Sequence, residues 1–380
     1  MILPMAEPTE LGFSPDRLAR ADDLVRSGVE DGIYPGAAWV VARHGWVAGI
    51  GAAGCLGGNG TPRATADALY DLVSLTKPLA TAACTLALAE RGVLHLREDV
   101  CALLPDMALP HLSGVTLAHL LTHTSGLPAW RKLYGEGIGR EEALRQLLLT
   151  PLEAPPGARY TYSDLSYMIA AHVLERVSGA ALDSLARELV FAPLGMDATG
   201  FWRAEGEAMR FTGGVSIAPE EVSERVAATA NCPMRGGPLV AQVHDGNAWA
   251  MGGVSGHAGL FGTAMDVATY VTALVGGGGC LGRRCFSPAG ARLATTNWLS
   301  PDVGGHSIGW FTPPNAMHLG TDLFGPRAFS HSGFTGTSAL GDPETGVVAV
   351  LLTNAVFFGG NRVLKLRRLF HNAVAASLVG

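Results

Sequence analysis

Residues 334–353 read FTGTSALGDPETGVVAVLLT. Residues 334–341 and 347–353 have the composition of two β-strands. The five residues between them read DPETG, which is typical of a tight turn. The C-terminal part of the chain therefore predicts a β-hairpin, and a further strand is predicted before it at residues 307–311.

The N-terminal part of the chain has the same character. Residues 37–43 and 46–50 are two strand-like runs joined at His44-Gly45, which predicts another hairpin. A helix is predicted to follow Ser14, which can cap its first turn. A second terminal helix is predicted over residues 362–378.

The middle of the chain is mainly helical in pattern. Apolar residues repeat there at helical spacing, and capping residues flank the runs. The predicted helices cover residues 79–90, 116–121, 165–177 and 263–275. We therefore expect an α/β (α+β) fold in which one antiparallel sheet, built from both ends of the chain and flanked by the terminal helices, carries an inserted all-helical domain. The predicted units are residues 1–71 together with 300–380 for the sheet domain and residues 72–299 for the helical domain, with the active site in the cleft between them.

The composition excludes several classes of protein. The chain has 380 residues, a net charge of −6, 48% hydrophobic residues and 16% charged residues. The mild acidity argues against a nucleic-acid binder, and the hydrophobicity argues against disorder. No apolar run reaches the roughly 18–20 residues of a membrane span, and the first residues lack the features of a signal peptide, so we expect a cytoplasmic protein. The six cysteines show no metal-ligand spacing, so we expect no metal and no other cofactor; the pattern does not predict an oligomeric state.

The first chemical signal is Ser74-Leu75-Thr76-Lys77. The chain contains only three lysines, so this spacing has few chances to arise by accident. Residues i and i+3 share a face of a helix, which would place Lys77 one turn from the Ser74 hydroxyl. A serine needs a base to become a good nucleophile, and a lysine with a pKa of about 10.4 would have to lose roughly 3 units to act as that base near pH 7. We therefore expect burial and positive surroundings to lower the pKa of Lys77.

The second signal is Tyr162-Ser163-Asp164, which comes just before the predicted helix at residues 165–177. A tyrosine beside an ammonium group can have a lowered pKa and can relay protons. Alternatively, Ser163 or Asp164 caps the helix and Tyr162 packs as a lid over it.

The third signal is His331-Ser332-Gly333-Phe334, at the entry to a predicted strand. The edge of such a strand can offer a backbone N–H group to an oxyanion and can pair with a substrate amide. Alternatively, the segment is a glycine-rich strand start with His331 at the surface.

Taken in this order, Ser-x-x-Lys, Tyr-Ser-Asp and His-Ser-Gly resemble the motifs of the penicillin-recognising serine hydrolases. More narrowly, the chain resembles the class C β-lactamase-like group, which includes D-Ala carboxypeptidases, D-aminopeptidases and family VIII carboxylesterases. Further strings typical of that group are LLTHTSGL at 120–127, PPG at 155–157, PLGM at 193–196, GHAGLF at 256–261 and LTN at 352–354. The resemblance implies a β-lactamase-like fold, in agreement with the architecture predicted above.

The resemblance also implies roles for individual residues. Ser74 would be the acylated nucleophile, Lys77 and Tyr162 would share the acid/base work, and the backbone N–H groups of Ser74 and Phe334 would form the oxyanion hole. The residues implied to contact the substrate are Asp164, His331, Ser332 and Gly333. The implied partner is a small acyl compound, whose carbonyl Ser74 attacks and whose acyl group water later releases.

Two residues depart from the pattern of that group. Asp164 stands where the second motif usually ends in Asn, and an ionised carboxylate cannot donate a hydrogen bond to a substrate. His331 stands where many relatives carry a Lys that helps bind a substrate carboxylate, and an unperturbed His is mostly neutral at pH 7. These departures favour small esters as substrates, with a β-lactamase or a D-amino-acid (D-Ala) peptidase as the alternative.

Two other interpretations remain at this point. Residues 305–309 read GHSIG, which matches the G-x-S-x-G elbow of α/β-hydrolases and would make Ser307 the nucleophile. That motif needs a strand before it and a helix after it, whereas a strand and a proline-blocked turn are predicted to follow. The chain could also be a non-catalytic penicillin-binding protein on the same fold.

Overall fold

A computed structural model describes residues 3–58, 60–107, 109–206, 208–320 and 322–379. The β-strands are β1 Gly36–Arg43, β2 Trp46–Gly54, β3 Tyr70–Asp71, β4 Gly200–Glu205, β5 Ala208–Phe211, β6 Asn231–Cys232, β7 Gly237–Pro238, β8 Leu260–Gly262, β9 Gly279–Cys280, β10 Arg283–Arg284, β11 Phe329–Ser332, β12 Ser338–Asp342 and β13 Val347–Thr353. The α-helices are α1 Pro15–Glu30, α2 Ala83–Glu90, α3 Val100–Leu103, α4 Leu117–Leu121, α5 Arg140–Leu148, α6 Asp164–Ser178, α7 Leu182–Ala186, α8 Ala192–Leu194, α9 Val222–Arg225, α10 Gly246–Ala250, α11 Ala264–Val275, α12 Pro288–Thr295 and α13 Val363–Ala376.

One antiparallel sheet is built from both ends of the chain, in the order β11-β12-β13-β1-β2. Strand β13 is completely buried because both faces of the sheet are covered. Its residues alternate between two cores: Leu351 packs with the terminal helices α1 and α13, whereas Val350 packs with α11 on the opposite face. This period of two is what a pleated strand dictates, and it explains why the strand reads as a continuous apolar run.

These contacts confirm the α/β class, the antiparallel sheet built from both ends of the chain, and both hairpins. The inserted part is not purely helical, because β4, β5 and β8 join β3 in a second, four-stranded sheet. Turn residues 44–45 join β1 to β2, and residues 343–346 join β12 to β13. The predicted helices are present with small shifts at their ends, and the run at 79–90 begins as π-helical Lys77–Ala82 before it continues as α2.

Two predicted strands are wrong in their bounds. Residues 307–310 form a turn rather than a strand, because Ser307 N–H donates to the Trp310 carbonyl at 2.9 Å and Gly309 has a φ of +102°. Only Phe311 pairs with the sheet there, through two backbone hydrogen bonds with Ser330. Residues 334–337 are also outside the sheet, since Gly333 N–H donates to the Thr337 carbonyl at 2.8 Å and closes a turn. The strand pairing predicted there is made instead by β11 on one side of this turn and β12 on the other.

Helix α11 lies inside the range 72–299 that we predicted to be the helical domain, yet it packs on β1, β12 and β13. Helix α4 packs on α6, and α6 also contacts the π-helical segment that follows Ser74. The division into residues 1–71 with 300–380 and residues 72–299 stays a prediction.

Candidate active site

The turn that carries Ser74 is strained. Val73, the residue before it, has a φ of +43°, which is a rare conformation for a β-branched side chain. Two hydrogen bonds stabilise this conformation: Val73 N–H donates to the Asp71 carboxylate at 3.0 Å, and Leu75 N–H donates to the Leu72 carbonyl at 3.0 Å. Ser74 is thereby placed, half-buried, at the entrance to the π-helical segment.

Lys77 lies one turn further on, and its side chain is completely buried. Its Nζ donates to Ser74 Oγ at 3.0 Å and to the His257 carbonyl at 3.2 Å. The same Nζ forms an ion pair with Asp164 Oδ1 at 2.7 Å. The predicted spacing therefore does bring Lys77 to the Ser74 hydroxyl.

The expected direction of the Lys77 pKa is wrong. Burial alone would lower it, but the negative charge of Asp164 and the interaction with Tyr162 outweigh burial, so the pKa of Lys77 is raised above its usual value. Lys77 is therefore an ammonium group in the resting site. Asp164, which the resemblance implies to contact the substrate, is in addition the counter-ion of Lys77.

Tyr162 reaches the same cluster from the segment before α6. His123 fixes this segment: its carbonyl accepts from Thr161 N–H at 2.8 Å and its Nδ1 accepts from Ser163 N–H at 2.9 Å. Ser163 caps α6 by accepting from Ser166 N–H at 3.2 Å, as one of the alternatives predicted. The backbone around Tyr162 is thus fixed from two sides.

The pKa of Tyr162 also moves opposite to the expectation. Burial raises it above 10, although the positive charge of Lys77 and hydrogen bonds with Lys77 and Ser74 oppose that rise. The Lys77 ammonium also lies 4.9 Å from the centre of the Tyr162 ring. Tyr162 is therefore a protonated neighbour of both Ser74 and Lys77 in the resting site.

His331 lies on β11 and is completely buried, which excludes the surface position that was the alternative interpretation. Its ring stacks on Phe311 with centroids 4.3 Å apart, and its Nδ1 donates to the Ser332 carbonyl at 3.0 Å. Burial, followed by the charge of Lys77, lowers the pKa of His331 far below its usual value. The ring is consequently neutral at pH 7.

Ser332, Gly333 and Phe334 follow His331 and line the cavity beside Ser74, with Gly333 buried and Phe334 exposed. Phe334 is 66% exposed, and its ring stacks on His244 at 5.8 Å between centroids. The loop is anchored from behind by Arg367 on α13, whose Nη1 donates to the carbonyls of Gly333 and Thr337 at 3.0 Å each. This anchor fixes the backbone from which the Phe334 N–H group projects.

These segments enclose a cavity of about 910 Å³. Ser74, Tyr162 and Asp164 line its floor, and the loop after β11 lines one wall. Lys77 and His331 are not on its surface, since both side chains are completely buried behind it. The other lining residues are predominantly apolar or aromatic and include Val73, Trp130, Tyr134, Met234, Leu239, Met317, Val363 and Leu364.

Three residues of this region were not recognised as part of the site from the sequence. Asp71 accepts hydrogen bonds under the Ser74 turn, and His257 supplies a carbonyl to Lys77. His257 also pairs with Asp245 at 2.8 Å, and Asp245 lines the cavity. The string GHAGLF at 256–261 contains His257, but spacing along the chain does not show that its carbonyl reaches Lys77 or that its ring pairs with Asp245.

The G-x-S-x-G alternative is wrong for Ser307. This residue is completely buried, and its hydroxyl donates to the Ala294 carbonyl at 2.5 Å. It follows no strand and precedes no helix, so it lacks the exposed strand-to-helix turn of a nucleophile elbow.

Within the described ranges, no group of three or more His, Cys, Asp or Glu residues is arranged to hold a metal ion. In the same part of the chain, no helix is both long and apolar enough to cross a membrane.

Comparison with known proteins identifies the family. The model of the Beta-lactamase family matches residues 21–372. A protein of Escherichia coli (strain K12) described as "Putative D-alanyl-D-alanine carboxypeptidase" is 30% identical over 93% of this chain and 86% of its own. Two solved structures share the fold at 23% identity. EstCE1, described as a hydrolase with promiscuous acyltransferase activity, has a TM-score of 0.73, and the match covers 95% of this chain and 99% of EstCE1. A penicillin-binding protein homologue from Caulobacter crescentus has a TM-score of 0.71, and the match covers 97% of this chain and 99% of the homologue. The chain therefore belongs to the Beta-lactamase family, within the penicillin-recognising serine hydrolases, as a serine hydrolase of the β-lactamase/DD-peptidase type.

Proposed function

We propose that this protein hydrolyses small, uncharged esters through an acyl-enzyme on Ser74. The Lys77/Tyr162 pair first loses one proton to solvent, because both groups are protonated in the resting site. Ser74 Oγ then attacks the ester carbonyl carbon, its proton passes to the deprotonated member of the pair, and the carbonyl oxygen becomes an oxyanion facing the N–H groups of Ser74 and Phe334. The alcohol leaves with a proton from the same pair. Water then attacks the acyl-enzyme, the acid leaves, and Ser74 regains its proton.

The choice of an ester rests on one observation: the His331 ring is buried and neutral. The position that holds a carboxylate-binding Lys in many relatives is here a neutral ring, completely buried against Phe311. A buried neutral ring cannot supply the point charge that a carboxylate-bearing penicillin or D-Ala-D-Ala peptide needs. The largely apolar lining of the cavity supports the same preference, because an uncharged ester enters it without a desolvation penalty for an ionised group.

Hydrolysis of a β-lactam or a D-amino-acid amide is the second candidate. Arg235 and Arg367 line the cavity and could meet a substrate carboxylate. Both guanidinium groups already donate to backbone carbonyls, Arg235 to Val243 and His244 and Arg367 to the loop after β11. We rank this candidate second because both guanidinium groups are already bonded to the backbone, so that only their remaining N–H groups, such as the Nε of each, are left to meet a substrate carboxylate.

Intact-mass labelling tests the nucleophile. We expect a fluorophosphonate to add once, on the peptide that contains Ser74, and the Ser74→Ala variant to lose both the adduct and all hydrolysis. Ser307→Ala is the matched control and should keep both. Labelling on the Ser307 peptide, or full activity of Ser74→Ala, would overturn the mechanism.

A substrate panel then tests the class. p-Nitrophenyl esters, nitrocefin and D-alanyl p-nitroanilide are compared by kcat/KM under one set of conditions. We expect the esters to exceed the other two by at least tenfold. Faster hydrolysis of nitrocefin or of the D-alanyl amide would replace the ester proposal, and a stable penicillin adduct on Ser74 without turnover of any substrate would identify a non-catalytic penicillin-binding protein.

A further inference from the structure

Asp71 is a buried carboxylate at the junction of three segments that surround Ser74. It ends β3 and is only 1% exposed. One carboxylate oxygen accepts from Val73 N–H at 3.0 Å, and the other accepts from His244 N–H at 2.7 Å. Its backbone carbonyl accepts from the Thr335 hydroxyl at 2.8 Å.

Each of these partners controls a different part of the cavity. Val73 N–H belongs to the strained turn that carries Ser74, and His244 lines the opposite wall, where its ring stacks on Phe334. Thr335 directly follows Phe334, the proposed oxyanion donor. Asp71 therefore bonds to the nucleophile turn, to one cavity wall and to the oxyanion loop at the same time.

The nucleophile turn and the oxyanion loop are also in close contact. The Thr337 hydroxyl donates to the Leu72 carbonyl at 3.3 Å, and a Cβ atom on Gly333 would lie 2.7 Å from that carbonyl oxygen. A small movement of the backbone at residues 71–73 is therefore transmitted directly to the loop that carries Phe334. A displacement of about 1 Å between reacting groups can lower a rate about 100-fold.

We propose that Asp71 is a positioning residue of this hydrolase, and that its ionised carboxylate holds the Ser74 turn and the oxyanion loop in the register that acylation requires. The inference rests on the proposed acylation of Ser74. Asp71 contacts no substrate in this scheme. It acts through the backbone N–H groups of Val73 and His244.

The charge of this carboxylate varies near neutral pH. Burial raises the pKa of Asp71 to about 7, reinforced by the charge of Asp245 and opposed by the two N–H donors and by Arg235. Above that pH both oxygens accept. Below it one oxygen carries a proton and can no longer serve its N–H donor well, so the positioning weakens as the pH falls through 7.

Stability has the opposite pH dependence. Because the pKa of Asp71 is raised above its unfolded value of about 3.9, the folded state binds the extra proton between these values, so the Asp71 contribution to the free energy of unfolding falls as the pH rises through this interval. A lower pH therefore increases the Asp71 contribution to the free energy of unfolding, while it decreases the rate of Ser74 acylation. A purely structural carboxylate would change both quantities in the same direction.

The test is the pH dependence of Ser74 acylation in Asp71→Asn. Asn keeps one acceptor but points an NH₂ group at one of the N–H donors. We expect acylation by a fluorophosphonate at pH 8 to slow 10- to 100-fold with little change in probe binding, and we expect the fall in rate of the parent protein between pH 8 and pH 6 to be reduced. Asp266→Asn is the matched control, because Asp266 is also buried with a pKa raised to about 6, but it bonds to Thr199 away from the cavity.

The outcomes separate this inference from the proposed function. If Ser74 of the parent protein is not labelled at all, the proposed function fails. If Ser74 is labelled and Asp71→Asn keeps the rate and pH profile of the parent, the positioning role is refuted. A loss of rate without change in the shape of the pH profile, matched by Asp266→Asn, would reduce Asp71 to a structural residue. Thermal unfolding of both variants verifies that the folded protein is being compared.

Discussion

Replacing Asp164 by Asn removes the counter-ion of Lys77 and restores the amide that the second motif usually carries. The two charges are 2.7 Å apart, and Lys77 is completely buried. At that distance, with an effective dielectric constant of about 20, the Coulomb attraction is about 6 kcal/mol, which is an upper limit because Asn still offers a carbonyl dipole. An adjacent opposite charge typically shifts a pKa by about 1–3 units, so we expect the pKa of Lys77 to fall by about 2 units, equivalent to about 3 kcal/mol.

The kinetic consequence has a definite sign. A base works only when deprotonated, so the acylation rate is low below its pKa and rises as the pH passes through it. Asp164 raises the pKa values of both Lys77 and Tyr162. Whichever of the two accepts the Ser74 proton, Asp164→Asn should move the acid limb of the rate profile to lower pH, and the shift should be about 2 units where Lys77 is the acceptor. The plateau at high pH should fall, because the base has become weaker.

Stability supplies an independent measurement. In the parent protein the pKa of Lys77 is raised, so its contribution to stability is complete below about pH 10 and declines only as the pH rises through the folded value. In Asp164→Asn burial dominates, the pKa falls below its unfolded value, and stability should instead increase from pH 7 to pH 10. Denaturant unfolding at pH 7, 8.5 and 10 distinguishes these trends.

The matched control is Asp106→Asn. Asp106 also forms an ion pair, with Arg176, but this pair is at the surface, where solvent screens the two charges. Its rate profile should coincide with that of the parent. An acid limb in Asp164→Asn that stays where the parent has it would refute the reasoning that the carboxylate sets the protonation of the Lys77/Tyr162 pair.

Two further predictions concern the third motif and the histidines behind it. Gly333→Ala should lower kcat of ester hydrolysis by up to about 100-fold, because the new Cβ atom would lie 2.7 Å from the Leu72 carbonyl oxygen. Gly135→Ala is the control: its new Cβ atom meets no atom closer than 3.6 Å, so kcat should not change. Equal rates for the two variants would contradict this account. Burial lowers the pKa of His306 to about 4, so its contribution to stability is complete above about pH 6.5 and is lost towards pH 4. His306→Asn should reduce the pH slope of the free energy of unfolding over this interval by up to about 1.4 kcal/mol per pH unit, and an equal change in the exposed control His95→Asn would exclude burial as the cause.

The sequence predicted the features that depend on local periodicity. The hairpins at both ends, the helix after Ser163 and the closeness of Ser74 to Lys77 follow from patterns within a few residues. The strand predicted to include Phe334 was misplaced because Gly333 and Gly336 allow a turn that composition alone does not distinguish from a strand end.

The electrostatics of the site could not be predicted in the same way. Lys77 meets the His257 carbonyl across 180 positions of the chain, and Asp71 meets His244 across 173. The direction of the Lys77 pKa depends on which charges the fold brings to it, and Asp164 reverses the effect that burial alone would have. Local spacing placed the ammonium group beside Ser74, but only the tertiary structure shows what neutralises it.

The order of strands in the central sheet has a consequence for biosynthesis. Strand β13 lies between β12 and β1, so the two N-terminal strands have no partner on that side until residues 347–353 have been translated. Up to that point this edge of β1 is open, and the β11–β12 pair that flanks the Phe334 loop is not joined to β1 and β2. We therefore expect a nascent or C-terminally truncated chain to be prone to aggregate and to lack the proposed acylation of Ser74 until nearly the whole polypeptide has left the ribosome.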